Sequence, residues 1–382
     1  MIFRILEDQF AQRAREAKDA DRRFMELALA LGRRGQGRTW PNPAVGAVIV
    51  KDGVIVGRGW TQPGGRPHGE PEALRRAGEA ARGATLYVTL EPCSHFGKSP
   101  PCADAVIAAG IKRVVAAIED PNPEVAGQGH ARLRGAGIAV EVGLCAAAAA
   151  YDHAGHFRRI RDKRPHVILK LAVSPDGKIG AAGGKPLAIT GEAVRDRVHL
   201  LRAQSDAILV GIGTVLADDP LLTCRLPGMA ARSPVRVVLD QSLRIPASSR
   251  LVRSARETPL WVVGSELAEA AAATRLGAAG AQMLRVPPGS ASGLDLPAVL
   301  QALAEKGITR LMVEGGSRIA ASFVAADLVD EIWLFRGAEA VGEGGVDALD
   351  ALPLSKITQS PAHKVHASDT YGKDTLTIYE RA

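Results

Sequence analysis

Cysteine is scarce in this chain, with four among 382 residues, at positions 93, 102, 145 and 224. That spacing makes no disulfide framework, so a reducing compartment is expected. Aromatic residues supply only 4% of the chain and no basic stripe is interleaved with them, so the stacking platforms that single-stranded nucleic acid needs are missing. Long apolar runs are missing too. The opening M-I-F-R-I-L-E-D places Arg4, Glu7 and Asp8 where a secretory signal requires an unbroken apolar stretch, and no later segment is long enough to span a bilayer. A cytoplasmic protein with neither a membrane nor a nucleic acid as partner is expected. The net charge of +7 is spread over Arg22-Arg23, Arg33-Arg34, Arg75-Arg76 and the stretch Arg158 to Arg164, which suits a phosphorylated substrate as well as a solvated surface.

An apolar fraction of 46% against 23% charged residues describes a globular chain, and its length exceeds what one core usually fills, so two domains are expected. The chemistry is concentrated between His68 and Cys102. H-G-E-P-E-A-L opens this stretch and E-P-C-S-H-F-G-K-S-P-P-C closes it, placing one imidazole and two thiols at His68, Cys93 and Cys102 with a carboxylate at Glu70. Those are the donors of a catalytic zinc site: three ligands leave the fourth tetrahedral position to water, whose pKa the ion lowers to near neutral. The H-x-E…P-C…C pattern matches zinc-dependent base deaminases, in which the glutamate carries protons without binding metal. A closed structural site is the alternative, with His95 as fourth ligand. Glu70 and Pro92 favour the catalytic reading, since a structural knot requires neither.

Residues 1–20 read as a charged, helix-prone extension. From Asp21 the spacing of Phe24, Met25, Leu27, Ala28 and Leu31 predicts a helix stopped by Gly32, Gly35 and Gly37. Two β-branched runs around Asp52-Gly53 predict a hairpin. A helix from Gly69 to about Arg82, a strand at 85–90, a helix opened by Cys102 and a strand at 112–118 follow. This alternation predicts an α/β layer sandwich over 21–145, with ligands at helix N-termini. The stretch 146–164 reads as one linking helix ended by Pro165. A second α/β domain fills 165–382, with strands at 207–210, 235–239, 260–263, 283–286 and 310–313 and helices at 192–203 and 296–305. Neither G-I-G-T-V nor E-G-G-S fits the dinucleotide fingerprint, yet Gly315, Gly316 and Ser317 sit where a strand becomes a helix and free amides suit a phosphate.

Taken together, P-N-P-A-V-G-A-V-I-V, L-E-P-C-S-H-F-G-K-S-P-P-C-A-D-A-V-I-A-A-G, D-P-N-P-E-V-A-G-Q-G, V-G-I-G-T-V-L-A-D-D-P-L-L-T-C-R and V-E-G-G-S resemble the bifunctional riboflavin-biosynthesis deaminase/reductase family, in order from Phe24 to the C-terminus. The eight-residue gap between Cys93 and Cys102 is itself a mark of that family. The resemblance implies a cytidine-deaminase-like α/β/α sandwich followed by a dihydrofolate-reductase-like α/β domain. It implies deamination of a small phosphorylated pyrimidine, 2,5-diamino-6-ribosylamino-4(3H)-pyrimidinone 5′-phosphate, then NADPH reduction of its ribosyl group to ribityl. His68, Cys93 and Cys102 become zinc ligands and Glu70 the proton carrier. Asn42, Ser94, Lys98 and Asn122 match contacts to the pyrimidine or its phosphate. In the second domain Arg202, Leu222, Arg225 and Glu314 match substrate positions, with Glu314 also a candidate general acid. Ala172, Ala188, Thr214, Asp218, Gly315, Gly316 and Ser317 match positions around NADPH. A homo-oligomer is expected.

This chain also departs from the pattern it resembles. His68-Gly69-Glu70 stands where relatives usually read H-A-E, which loosens the backbone by roughly half to one kcal/mol relative to alanine but keeps the spacing, so activity is expected to survive. Thr61 replaces a histidine expected to touch substrate. Pro186 and Ala188 replace a serine and a tryptophan, so either NADPH binding weakens and the reductase half is impaired, or a neighbouring side chain fills the space. Two other functions fit the first half alone: a nucleoside or tRNA-base deaminase with an accessory domain, and a zinc-stabilised scaffold.

Overall fold

A computed structural model describes residues 2–97, 99–182, 187–289 and 293–382, with side chains from residue 18 onward. Lys98 and Pro186 lie outside the described residues. The chain divides into two compact units, Met1–Asp162 and Lys163–Ala382. Among the described residues no helix is long and apolar enough to cross a membrane.

The first unit runs α1 (Ile2–Arg33), β1 (Gly46–Lys51), β2 (Val54–Trp60), α2 (Gly69–Ala77), β3 (Thr85–Val88), α3 (Cys102–Ala108), β4 (Arg113–Ala116), α4 (Gln128–Gly135), β5 (Ala139–Val142), α5 (Ala146–Asp152) and α6 (Ala154–Asp162). Its sheet has the order β2-β1-β3-β4-β5, antiparallel through β3 and parallel from there. Both faces are covered, because every central strand is apolar at odd and even positions alike. Ala47, Ile49, Leu86, Val88, Val114 and Ala116 face Ala73, Ala77, Val106 and Leu133 of α2, α3 and α4. The alternate residues Val48, Val50, Tyr87 and Val115 face Met25, Ala28 and Leu29 of α1. This is the predicted three-layer sandwich. The helices lie close because glycine leaves them room: a Cβ on Gly46 would stand 1.8 Å from the Ala28 carbonyl oxygen, and one on Gly59 2.2 Å from that of Gly69.

The boundaries differ from the sequence reading in three places. The N-terminal extension and the helix after Asp21 form one 32-residue helix. α2 stops at Gly78, whose φ of +53° leaves the helical region. The stretch 146–164 is two helices, parted at His153, and both pack on the first unit: Arg33 pairs with Asp152 at 2.9 Å, and Ala149 and Phe157 enter its two cores.

The second unit runs β6 (His166–Val173), β7 (Lys178–Gly180), α7 (Glu192–Gln204), β8 (Ala207–Gly211), α8 (Ile212–Asp218), β9 (Val235–Leu239), α9 (Arg250–Arg253), β10 (Leu260–Ser265), α10 (Ala270–Ala278), β11 (Gln282–Val286), α11 (Leu296–Glu305), β12 (Arg310–Val313), α12 (Ser317–Ala325), β13 (Glu331–Arg336), β14 (Val346–Asp347), α13 (Ser355–Thr358), β15 (His363–Tyr371) and β16 (Asp374–Arg381). Among the described residues its main sheet has nine strands, in the order β11-β10-β9-β8-β12-β6-β13-β16-β15. Pairing is parallel from β11 to β13 and antiparallel beyond it. β8, β9, β10 and β12 are buried at every position, as parallel strands covered on both faces must be. The carboxyl ends of β8, β12 and β6 therefore stand side by side, the place where open α/β sheets bind ligands. α8 and α12 begin there, and Ile319 fits against Gly211 and Gly315, where a Cβ would come within 2.8 and 2.7 Å of it.

Two candidate active sites

In the first unit, β2 leads through a loop to His68, which caps the N-terminus of α2 with extended backbone. β3 delivers Cys93, and Cys102 is the first residue of α3. His68 Nδ1 lies 3.3 Å from Cys102 Sγ and 3.8 Å from Cys93 Sγ, and the three donor atoms all stand within 4.8 Å of one another. A tetrahedral zinc with ordinary Zn–S and Zn–N bonds spaces nitrogen from sulfur by about 3.5 Å, so this donor set fits the ion. His95 is exposed and does not join the cluster. A fourth side chain closing the site is therefore not found among the described residues.

The four titratable groups of the cluster act on one another, and one of the two thiols is favoured as a thiolate. The Cys93 thiol is lowered to about 4, first by its hydrogen bond with the Cys102 thiol and, against burial, by bonds from His68 and the Cys102 amide. Cys102, at the other end of that bond, is raised. For His68 burial is outweighed by Cys93 and Glu70, and its value rises. Glu70 is 3% exposed, and its Oε2 has no hydrogen-bond partner. Burial pushes its carboxyl up to about 7, His68 opposing and Cys93 adding to the rise. A buried oxygen without a partner costs about 1–3 kcal/mol, and beside three metal-donor atoms it makes Glu70 a candidate for chemistry.

Around this cluster, Ser94 keeps a buried, unpartnered Oγ. Asn42 donates to the Gly65 carbonyl at 3.0 Å, and Asn122 accepts from the Glu124 amide at 3.2 Å. Thr61 is 1% exposed, accepts the Val45 amide at 3.0 Å and gives its own amide to the Val45 carbonyl at 2.9 Å. That position works as a strut between two strands. Gly69 is packed tightly, for a Cβ there would meet the Val45 oxygen at 2.8 Å.

In the second unit, Glu314 follows β12 and holds two cations. Lys170 Nζ of β6 lies 3.3 Å from one carboxylate oxygen, and Arg202 of α7 gives the other two bonds of 2.9 and 3.0 Å. Burial alone would raise this carboxyl; Arg202 and Lys170 outweigh it and hold the group at about 2. Glu314 is therefore ionised and cannot give up a proton near neutrality, which corrects the general-acid expectation. Arg202 also reaches the Thr223 carbonyl at 3.2 Å, and His199 Nδ1 accepts the Arg225 amide at 3.3 Å. These bonds fix the loop that presents the exposed Arg225 guanidinium. At the neighbouring strand ends, Thr214 Oγ1 lies 3.7 Å from where a Gly316 Cβ would be, so α8 and the 315–317 turn form one cradle.

The sheet thus gathers Arg202, Glu314, Thr214 and Gly315 to Ser317. Asp218 closes α8 and Ala172 packs against the core. Leu222 is 4% exposed with its side chain in the core, so it offers a ligand little besides backbone, which is bent to a φ of +57°. Ala188 is exposed.

A model of the cytidine and deoxycytidylate deaminase zinc-binding region matches residues 18–118, and one of the RibD C-terminal domain matches 165–377. The riboflavin biosynthesis protein RibD of Aquifex aeolicus is 41% identical over 95% of this chain and 99% of its own length. The chain belongs to the RibD family. The RibD protein of Escherichia coli is likewise 41% identical, over 93% of this chain and 97% of its own. Among solved structures, RibD of Acinetobacter baumannii superposes with a TM-score of 0.84 at 35% identity, covering 96% of this chain and 99% of that one. A Thermotoga maritima diaminohydroxyphosphoribosylaminopyrimidine deaminase/5-amino-6-(5-phosphoribosylamino)uracil reductase gives 0.83 at 35%, covering 96% and 100%.

The chain is a bifunctional deaminase and reductase of riboflavin biosynthesis. Two residues of the RibD reductase half escaped the sequence reading. Lys170 stands in the otherwise apolar run from Val167 to Val173, and a lone lysine inside such a strand is a signal in itself. His199 left no such signal, because its partner is a backbone amide 26 residues away.

Proposed function

We propose that the first unit removes the exocyclic 2-amino group of 2,5-diamino-6-ribosylamino-4(3H)-pyrimidinone 5′-phosphate and that the second reduces the ribosyl chain of the product with NADPH. Zinc, when bound by His68, Cys93 and Cys102, supplies a water that ionises near neutral pH. Glu70 takes a proton from that water and returns it to the departing nitrogen, and its unpartnered Oε2 is the atom free to do so. Water's oxygen ends on the ring carbon and ammonia leaves. Asn42, Ser94 and Asn122 bind the pyrimidine edge by amide and hydroxyl groups, and Lys98 its phosphate.

In the second unit the cradle of Thr214 and Gly315 to Ser317 receives the cofactor's phosphates, with Ala172, Ala188 and Asp218 beside its other groups. Arg202 and Arg225 take the substrate phosphate, their charge and fork geometry suiting it. When bound, NADPH supplies the hydride; the chain supplies alignment. Glu314 orients substrate as a carboxylate. The proton for opening the ribosyl ring comes from another group, and Lys170, in contact with Glu314, is a candidate because an ammonium gives up a proton far more readily than the guanidinium of Arg202. The alternative of a nucleoside or tRNA-base deaminase leaves the second domain's match unexplained.

The observation that carries this reading is the buried carboxylate beside three convergent metal donors. Glu70→Gln is expected to abolish ammonia release from the pyrimidine phosphate while the protein keeps one zinc per chain. Near-normal deamination by that variant would overturn the assignment.

A further inference from the structure

We infer that Glu91 and His156 are positioning residues that set where Asn122 stands relative to Cys93. This rests on the reading of Asn122 as a contact to the pyrimidine.

Glu91 lies three residues beyond the end of β3, two before Cys93, and it is buried with a wholly unexposed side chain. Its carboxylate accepts backbone hydrogen bonds alone from across the fold: Oε2 takes the amides of Asp120 at 3.3 Å and Gly127 at 2.9 Å, and Oε1 takes that of His130 at 3.2 Å. Gly127 is the N-cap of α4 and His130 its third residue, so a carboxylate from 36 residues earlier caps this helix at its positive end. The docking is close. A Cβ on Gly129 would stand 2.0 Å from the Pro92 carbonyl oxygen, immediately before Cys93. The loop between Asp120 and Gly127 is thereby clamped at both ends to the metal-ligand segment, and it carries Asn122.

His156 holds the same loop from the other side. Its Nε2 lies 3.0 and 3.3 Å from the two carboxylate oxygens of Asp120, and Asp120 in turn accepts the Asn122 amide at 2.8 Å. His156 lies on α6, so the segment that leads into the second unit helps build the first unit's site.

Glu91, Glu119 and His130 also stand close enough to suggest a second metal centre. The Glu91 oxygens are already engaged by three amides, and the ring Nδ1 of His130 stands 3.7 Å from Oε1, outside hydrogen-bond distance. Capping explains the cluster without an ion.

The test uses full-length protein with Glu91→Gln, Asn122→Ala and both together, measuring zinc content, thermal midpoint, and KM and kcat of ammonia release, with reduction as internal control. Glutamine keeps the shape but turns an NH2 group toward backbone donors. Glu91→Gln is expected to raise the deamination KM about tenfold with one zinc per chain and unchanged reduction. In the Asn122→Ala background the same change is expected to add less than about twofold, because two residues acting through one contact are not additive. Losses that multiply in the double variant, or a lowered midpoint with unchanged KM, would overturn the inference and make Glu91 a purely structural cap. Two metal ions per chain, falling to one on Glu91→Gln, would overturn it in favour of ligation. An Asn122→Ala variant with unaltered KM would overturn the reading of Asn122 and this inference with it. Should Glu91→Gln fail to fold, His156→Ala tests the clamp from the opposite side. It is expected to raise the same KM, with His156→Gln restoring it; no rise with His156→Ala would overturn the inference.

Discussion

Replacing Glu314 by glutamine should expose how much the second unit depends on one carboxylate. Lys170, Arg202 and Glu314 are 14%, 11% and 16% exposed at their side chains, so solvent screening of the trio is small. The carboxyl is held at about 2 in place of its ordinary 4.5, and that depression corresponds to stabilisation on the order of 3 kcal/mol at neutral pH. Because the folded value is the lower one, the contribution is complete above the unfolded value and fades as pH falls toward the folded one. By about pH 3, roughly 2 of those 3 kcal/mol are gone. Glutamine has no such contribution at any pH and leaves two cations facing each other. Glu314→Gln should therefore lose about 3 kcal/mol near neutrality, and its deficit relative to the unaltered protein should narrow by about 2 kcal/mol by pH ~3. Urea unfolding in a background with Trp40 and Trp60 replaced by phenylalanine, so that Trp261 and Trp333 report alone, measures this directly. A deficit that stays constant with pH would refute the ion-pair account, and no deficit would show the trio to be energetically idle.

Gly46→Ala should cost the first unit about 3 kcal/mol or more, since the added carbon meets backbone at 1.8 Å and no side chain can yield; thermal unfolding checks it, and an unchanged midpoint would show that α1 can shift. Arg225→Ala should weaken reduction at least about tenfold through KM while sparing deamination, because its exposed guanidinium lies in the second unit; equal losses in both assays would contradict two separate sites. Stripping the metal with a chelator should end deamination and leave NADPH oxidation on the deaminated intermediate intact, with zinc restoring the first activity; loss of both would mean that the ion holds the whole chain together.

Much of the first site is legible in the residues alone, because its chemistry is local. His68 and Glu70 are two positions apart, and Cys93 and Cys102 flank one loop, so ligand type and spacing carry the meaning. β8, β9, β10 and β12 of the second unit, though not β13, are legible for a similar reason: a strand buried on both faces is apolar almost throughout. β15 and β16 are not. β15 is an edge strand with most side chains in water, and it shows no apolar alternation to read. The surroundings of Thr61 and Glu314 were not legible, because they depend on partners far along the chain, Val45 for the one and Lys170 with Arg202 for the other.

Residue identity and short-range spacing by themselves pointed to the candidate metal donors and most of the strand pattern, which are properties of neighbouring residues, while the family and its two activities were legible through the resemblance of five longer segments. Tertiary structure alone decided which charges are neutralised and by what. A carboxylate's state follows from the groups brought against it: Glu91 meets three distant backbone amides, two of them at a helix end, Glu314 two cations, and Glu70 no partner at its Oε2. Coulomb and hydrogen-bond energies depend on distances in space, and separation along the chain does not contain them.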